Sequence, residues 1–105
     1  MKPPHSHDSL AVMVRNATKA EAMLKSLANA KRLMILCHLV KSEQTVGELA
    51  DLVGLSHSAL SQHLAKMREN DLVISDKRGQ QVYYRIGSHE VGAILSTLYL
   101  IYCRE

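Results

Sequence analysis

The stretch VGELADLVGLSHSALSQHL, residues 46–64, carries the sequence signals of two short helices separated by a tight turn. Thr45 and Glu48 have the spacing of a capping box, in which each side chain accepts from the backbone N–H of the other residue, so a helix is predicted to begin there. Gly54 supplies a left-handed C-terminal stop, and Ser56 can cap the helix that follows. Two helices joined by such a turn form a helix-turn-helix, although other helical hairpins share these signals.

The second of these helices has two different faces. At about 100° per residue, Leu60, Leu64 and Met67 share the side that is predicted to be buried. The opposite side and its flanks carry mostly short side chains: Ser58, Ser61, Gln62, Ala65 and Lys66. Short Ser, Gln and Ala side chains let a helix backbone approach a DNA groove while offering donors and acceptors to base edges. A surface helix of chance composition is the alternative interpretation.

A β-hairpin is predicted directly afterwards, over residues 72–86. Val82, Tyr84 and Ile86 alternate with polar or amphipathic residues, and Gly79 lies at the tip. The tip is basic and polar, with Lys77, Arg78, Gln80 and Gln81. A basic hairpin after a helix-turn-helix is typical of the wing of a winged helix, where tip cations reach phosphates or the minor groove. A solvated turn is the alternative.

The first and last helices are predicted to pair two copies of the chain. Heptad spacing marks the first helix, with apolar or small residues at Leu10, Met13, Ala17, Ala20, Leu24 and Leu27. Ser88 can cap the last helix, which is apolar at Val91, Ile94, Leu95, Leu98, Ile101 and Tyr102. These apolar positions are too numerous for one monomer face, so we expect a homodimer, although the first helix could also pack within its own domain.

Composition fits one globular domain, because the chain has 105 residues and is 47% hydrophobic. We expect this domain to span residues 9–105, after a disordered tail at residues 1–8. A net charge of +3 is compatible with a polyanionic partner without requiring one.

Apolar runs in the sequence stay below the roughly 18 residues of a membrane span, and the N-terminus lacks the apolar core of a secretory signal. We therefore expect a cytoplasmic protein that reaches the nucleoid through DNA binding.

Two cysteines, Cys37 and Cys103, are separated by 103 − 37 = 66 residues. This spacing matches no close-spaced zinc or thioredoxin-type motif, and a structural disulfide is improbable in a reducing cytosol. Asn29 is predicted to cap a helix over residues 30–41, in which Leu33, Leu36, Cys37 and Val40 share a face. Cys37 therefore points inward or toward another helix. Each cysteine alone would be interpreted as a small buried hydrophobic residue.

The pattern from LANAKRLMIL (residues 27–36) through residues 46–64 to the wing resembles the ArsR family of dimeric winged-helix transcriptional repressors. The segment SHSALSQHL, residues 56–64, is specific for that family. The resemblance implies a mainly α fold with five helices and a small β-hairpin, and a regulator rather than an enzyme. It implies that residues of the second helix of the helix-turn-helix and of the wing tip face operator DNA. Together with the helix angles, it predicts these DNA-binding residues: His57, Ser58, Ser61, Gln62, Lys66, Lys77, Arg78 and Gln80.

Many ArsR relatives sense metals, and here the chain departs from their pattern. The third helix has Glu48-Leu-Ala-Asp51 where the arsenic and lead type carries a cysteine pair. The last helix has Ser88, His89 and Glu90 but no second histidine group, and stable zinc needs about four ligands. His5 and His7 lie in the predicted tail, where histidines are more often solvated than bound to a metal ion. We therefore expect no metal or other cofactor, with a metal-responsive repressor as an alternative.

Cys37 and Cys103 resemble the cysteines of a thiol-based branch of the family, the SqrR-, BigR- and HlyU-like regulators of reactive sulfur or oxidants. The resemblance implies that the reduced dimer binds a palindromic operator, and that affinity falls when a polysulfide or disulfide bridges the two cysteines. Lys41 and Arg104 could favour the thiolates electrostatically. An anti-silencing activator of the HlyU type and a winged-helix module that does not bind DNA remain alternatives.

Overall fold

Residues 9–103 are described by a computed structural model, in which five helices pack together beside a small sheet. The predicted tail at residues 1–8 and Arg104 lie outside the described residues. The elements in chain order are α1 (Leu10–Leu27), α2 (Ala30–Lys41), β1 (Gln44–Thr45), α3 (Val46–Val53), α4 (His57–Glu69), β2 (Val73–Arg78), β3 (Gln81–Ile86), α5 (His89–Leu98) and a π-helical segment (Tyr99–Cys103), called the π-segment below. The prediction of five helices plus a wing is confirmed.

The helix boundaries follow from their caps. Side chains cap four N-termini, with Asn29 for α2, Thr45 for α3, Ser56 for α4 and Ser88 for α5. Both bonds of the predicted capping box form, because Glu48 N donates to Thr45 Oγ1 at 3.2 Å and Thr45 N donates to Glu48 Oε1 at 2.8 Å. Gly54 ends α3 in the left-handed region at φ 68°. The helix-turn-helix of α3 and α4 is therefore present as predicted.

The sheet is antiparallel with the order β1-β3-β2. The predicted hairpin is confirmed, with pairing that runs from Val73 opposite Ile86 to Arg78 opposite Gln81. Gly79 takes φ 62° at the tip, where its missing Cβ removes the usual penalty for a positive φ. The short strand β1 was not predicted, because two residues are too few to show an alternating pattern.

The core lies between α2, α3, α4, α5 and the base of the hairpin. Its fully buried large side chains are Ile35, Leu36, Leu49, Leu60, Leu64, Met67, Leu72, Val73 and Leu95. The predicted buried stripe of α4 is therefore confirmed. No helix within residues 9–103 is long and apolar enough to cross a membrane.

The predicted face of α2 meets the core only in part. Leu36 is fully buried and Leu33 and Val40 pack against the core, but Ile35 and Leu39 are buried as well, and Cys37 is only half-buried. At 3.6 residues per turn, Cys37 lies about 160° around the helix from both Ile35 and Leu39. Its thiol consequently faces a second helical element, the π-segment, which is one of the two directions that the sequence allowed.

Apolar side chains remain exposed at the two ends of the described chain. Leu27 is the one buried residue of α1, whereas Leu10, Met13 and Leu24 are exposed. At the other end α5 buries two side chains and the π-segment buries none, so the predicted last helix has an exposed end as well. This exposed part consists of Leu100, Ile101 and Tyr102.

Candidate nucleic-acid interface and dithiol site

The fold brings the two cysteines into contact. Cys37 projects from the third turn of α2, and Cys103 ends the π-segment that packs beside this helix. Their Sγ atoms are 3.0 Å apart, and both residues are free thiols. Cys37 is half-buried while Cys103 is exposed. Cys103 is thus the more accessible of the two residues.

The two thiols also differ in chemistry. Burial, followed by the hydrogen bond and the charge interaction with Cys103, raises the pKa of Cys37 to about 12. Cys37 therefore keeps its proton at neutral pH. The raised pKa of Cys37 runs against the idea that Lys41 favours its thiolate, and the causes of the shift are burial and Cys103. Lys41 instead places its Nζ 5.4 Å from the centre of the Tyr99 ring.

A pocket of about 260 Å³ opens beside the two sulfur atoms. Its walls are mostly apolar, and they consist of Leu33, Met34, Cys37, His38, Lys41, Tyr99 and Cys103. Sequence reasoning missed Met34, His38 and Tyr99. The spacing of Met34, His38 and Lys41 on one side of α2 was a signal for a shared face, but the packing of Tyr99 on that face depends on the tertiary fold.

The predicted DNA-binding face of α4 is accessible. Its exposed residues are His57, Ser58, Ser61, Gln62 and Lys66. The buried stripe of α4 holds the opposite side of the helix against the core, so these side chains point away from the domain. Short side chains occupy the N-terminal half of this face, which is the half that enters a major groove in helix-turn-helix complexes.

Two further basic residues, Arg32 and His63, line a surface pocket together with Gln62 and Lys66. Arg32 comes from α2, and its Nη1 donates to the Ser26 carbonyl at 2.9 Å. Arg32 and Lys66 together extend the positive surface beside the predicted DNA-binding face of α4. The spacing of His63 and Lys66 in the sequence places them on one side of the same helix. Only the tertiary fold brings Arg32 of α2 beside them.

The wing tip is exposed, and its two cations have different surroundings. Arg78 donates to both carboxylate oxygens of Glu43 and to Asp76 at 3.0 Å, and it lies 4.7 Å from the centre of the Tyr83 ring. Hydrogen bonding to Arg78 lowers the pKa of Glu43. Lys77 makes no ion pair with the residues that the structure describes. Sequence reasoning missed the pairing of Arg78, because Glu43 is 35 residues away.

Metal-binding groups are dispersed over the described chain. Within residues 9–103, no three His, Cys, Asp or Glu side chains come together in a way that could hold a metal ion. His89 and Glu90 lie in the first turn of α5. The incomplete metal site that the sequence suggests at His89 and Glu90 thus gains no further ligand from another described element.

Residues 29–75 match the family described as "Bacterial regulatory protein, arsR family". The chain is 46% identical over 96 residues to the transcriptional activator HlyU of Vibrio cholerae, covering 91% of this chain and 89% of that protein. It is 33% identical over 93 residues to the biofilm growth-associated repressor of Xylella fastidiosa, covering 89% of this chain and 82% of that protein.

The fold matches a solved structure of the same type. Reduced HlyU from Vibrio cholerae superposes with a TM-score of 0.84 at 47% identity, covering 88% of this chain and 97% of that one. These relatives are regulators of transcription, which sets aside an enzyme and a module that does not bind DNA. The chain belongs to the ArsR family of bacterial regulatory proteins, and it is a DNA-binding, winged-helix transcriptional regulator.

Proposed function

We propose that this regulator is a thiol switch: the reduced homodimer binds a palindromic operator in the cytoplasm, and a sulfur bridge between Cys37 and Cys103 weakens that binding. The observation that carries the proposal is the 3.0 Å distance between two Sγ atoms from cysteines 66 residues apart. A lone buried cysteine is usually a packing residue. Two sulfur atoms in contact, one of them exposed, are placed for thiol–disulfide chemistry.

Reactive sulfur supplies the oxidising equivalent. The Cys103 thiolate attacks the sulfane sulfur of a persulfide, R–S–SH, so that R–SH leaves and Cys103 becomes Cys103–S–SH. The Cys37 thiolate then attacks the Cys103 Sγ, which forms a disulfide and releases hydrogen sulfide. The sulfane sulfur gains two electrons and leaves as sulfide, while the two cysteine sulfurs are oxidised. Peroxide would reach the same disulfide through a sulfenic acid and release water.

A second persulfide can lengthen the bridge by one sulfur. Cys103–S–SH takes a sulfur atom from another R–S–SH, and Cys37 attacks the sulfur bonded to the Cys103 Sγ, with release of the terminal sulfur as hydrogen sulfide. A direct S–S bond is about 2.05 Å long, whereas the outer sulfurs of a bent three-sulfur bridge are about 3.2 Å apart. The 3.0 Å between the free Sγ atoms is closer to the second distance. We therefore expect the three-sulfur bridge to need the smaller movement.

A bridge would act on DNA binding through α2. This helix packs against α3, the first helix of the helix-turn-helix, as well as against α5 and the π-segment. Tying the π-segment to α2 constrains both the reading head and the exposed apolar end of the chain. A hundredfold loss of operator affinity requires only about 2.7 kcal/mol of coupling free energy.

The exposed apolar residues of α1 and the π-segment support a homodimer. Leu24 is 57% exposed, Ile101 is 63% exposed and Tyr102 is 78% exposed. Apolar side chains grouped at such exposure mark an interaction surface. A two-fold interface there would present two copies of α4 to successive major grooves, which is the arrangement that reads a palindrome.

The proposed dimer can either repress or activate. Occupying a promoter blocks transcription, whereas displacing another DNA-bound silencer permits it. The names of the two relatives, an activator and a repressor, include both outcomes. The position of the operator, rather than the fold, decides between them.

Exposing the reduced protein to an organic persulfide is expected to add one sulfur and remove two hydrogens, and to lower operator affinity about a hundredfold. Intact mass and affinity are measured on the same samples, with an operator selected from random duplexes by the reduced protein. Cys37→Ser and Cys103→Ser are the matched controls: each should keep the affinity of the reduced protein and form no intrasubunit bridge. Unchanged mass and affinity after both persulfide and peroxide would refute the thiol switch.

The step in which Cys37 attacks the persulfide on Cys103 and closes the bridge is expected to accelerate about tenfold for each pH unit between about 7 and 9. Its nucleophile is the Cys37 thiolate, and a pKa raised to about 12 makes that thiolate scarce at neutral pH and tenfold more abundant with each unit of increase. Mass spectrometry of quenched samples follows the conversion of Cys103 persulfide into the bridged form. A rate independent of pH over this range would show that Cys37 is not the closing nucleophile.

Substitutions on α4 and the wing are expected to separate base reading from phosphate binding. Gln62→Ala should lower operator affinity by about 1–3 kcal/mol and leave binding to random duplex nearly unchanged. Lys77→Gln should weaken binding to both duplexes and reduce the slope of log K against log salt by about one. Lys19→Gln, an exposed lysine on α1, is the control of equal charge change. Equal effects of Lys77→Gln and Lys19→Gln would contradict the assigned role of the wing.

Placing a carboxylate in the proposed interface is expected to dissociate the dimer. Ile101→Asp should give the monomer mass by light scattering at micromolar concentration, because burying an unpaired charge is strongly unfavourable. Gln80→Asp adds the same charge at the exposed wing tip, so it should retain the dimer mass. A wild-type protein that is monomeric at this concentration, or a dimer that survives Ile101→Asp, would rule out this interface.

A further inference from the structure

The pocket beside the two thiols has a chemistry of its own. It continues from the Cys103 sulfur along the outer side of α2, and its walls are mainly apolar. Two basic side chains, His38 and Lys41, also line it. No acidic side chain lines this pocket in the part of the chain that the structure describes. A site with apolar walls, a lysine cation and a reactive atom at one end suits a small molecule that is apolar in the middle and anionic at one terminus.

We propose that this pocket binds the carrier part of a small organic persulfide that bears a carboxylate, with the carboxylate at Lys41 and the sulfane sulfur at Cys103. The inference deepens the proposed thiol switch and rests on it. The inference adds a substrate class. Two thiols without a binding pocket would accept sulfur from any carrier, at a rate set only by the intrinsic reactivity of that carrier.

The size of the pocket limits the carrier. A volume of about 260 Å³ holds roughly nine groups of the size of a water molecule, at about 30 Å³ each. A carrier with two or three carbon atoms, a carboxylate and two sulfurs fills that space. The Tyr99 ring and the side chain of Leu33 offer apolar contact to the carbon atoms.

Lys41 is held where it can meet the carboxylate. Its Nζ lies 5.4 Å from the centre of the Tyr99 ring, and Tyr99 begins the π-segment that ends at Cys103. The Lys41 cation, which comes from α2, therefore lies beside the short segment that ends at the attacking sulfur. The transfer itself is balanced: the Cys103 thiolate takes the outer sulfur of R–S–SH, R–SH is released, and the two electrons of the broken S–S bond leave with the carrier.

The test compares persulfides of three thiols that share a two-carbon chain: 3-mercaptopropionate is anionic, 2-mercaptoethanol is neutral and cysteamine is cationic. The initial rate of sulfur gain by the full-length reduced protein is measured by intact mass, and each rate is divided by that of the same persulfide with free cysteine. This division removes the intrinsic reactivity of the carrier. We expect the normalised rate to be about fivefold higher for the anionic carrier than for the neutral one, and lower again for the cationic one.

Lys41→Gln should abolish the advantage of the anionic carrier and leave the neutral carrier unchanged. Lys31→Gln is the matched control, because it removes an exposed lysine from the same helix about 15 Å away along the axis. This variant should keep the order of the three carriers. Far-ultraviolet circular dichroism and operator binding of both reduced variants establish that they are folded.

The outcomes separate the two proposals. Normalised rates that do not depend on carrier charge, or a Lys41→Gln variant that slows all three carriers equally, would overturn the pocket while leaving the thiol switch intact. Absence of sulfur gain with all three persulfides would overturn both. A charge preference that persists in Lys41→Gln would show that another cation selects the carrier, and the assignment to Lys41 would be wrong.

Discussion

The packing of α2 on two sides is the constraint on which the rest of the structure depends. Ile35, Leu36 and Leu39 fix the rotation of the helix by entering the core, where α2 meets α3, α5 and β3. Because that rotation is fixed, Cys37 must lie on the outer side, where the π-segment covers it. The same helix thus holds the DNA-reading unit and offers its other side to the end of the chain. Any change in how the π-segment sits on α2 acts on a helix that has little freedom to turn.

The burial of Cys37 bears on the order of steps in the proposed thiol switch. A thiol that is half-buried against another thiol keeps its proton, because the desolvated thiolate next to a second sulfur is unfavourable. Cys103 is exposed at the end of a π-helical turn, a rare geometry that is often found at functional sites. In the proposed thiol switch the two sulfurs would therefore be unequal: reagents would meet Cys103 first, and Cys37 would act on the sulfur that Cys103 carries.

Local signals made most of the fold predictable. Caps at Asn29, Thr45, Ser56 and Ser88 depend on residues within one turn, and so does the left-handed Gly54, so the helix boundaries were correct. The core-facing side of α2 was predicted only in part, because apolar residues lie around much of the helix and only tertiary contacts choose which of them enter the core. The approach of the two cysteines was predicted through family resemblance. The pocket around them, the Glu43–Arg78 pair and the addition of Arg32 to the α4 surface each join distant parts of the chain, which periodicity cannot reveal.

The wing shows how an intramolecular pair redistributes a modest positive charge. Arg78 is held by Glu43 and Asp76 and stacked beside Tyr83, so a phosphate must compete with two carboxylates for this guanidinium. The net charge of +3 therefore overstates what the wing offers to DNA. We therefore expect Lys77 and the basic side chains beside α4 to carry more of the attraction to the DNA backbone, which falls with salt as counterions are released. Glu43 directly follows the C-terminal cap of α2 and precedes β1, so the same helix that carries Cys37 also borders the residue that anchors the wing.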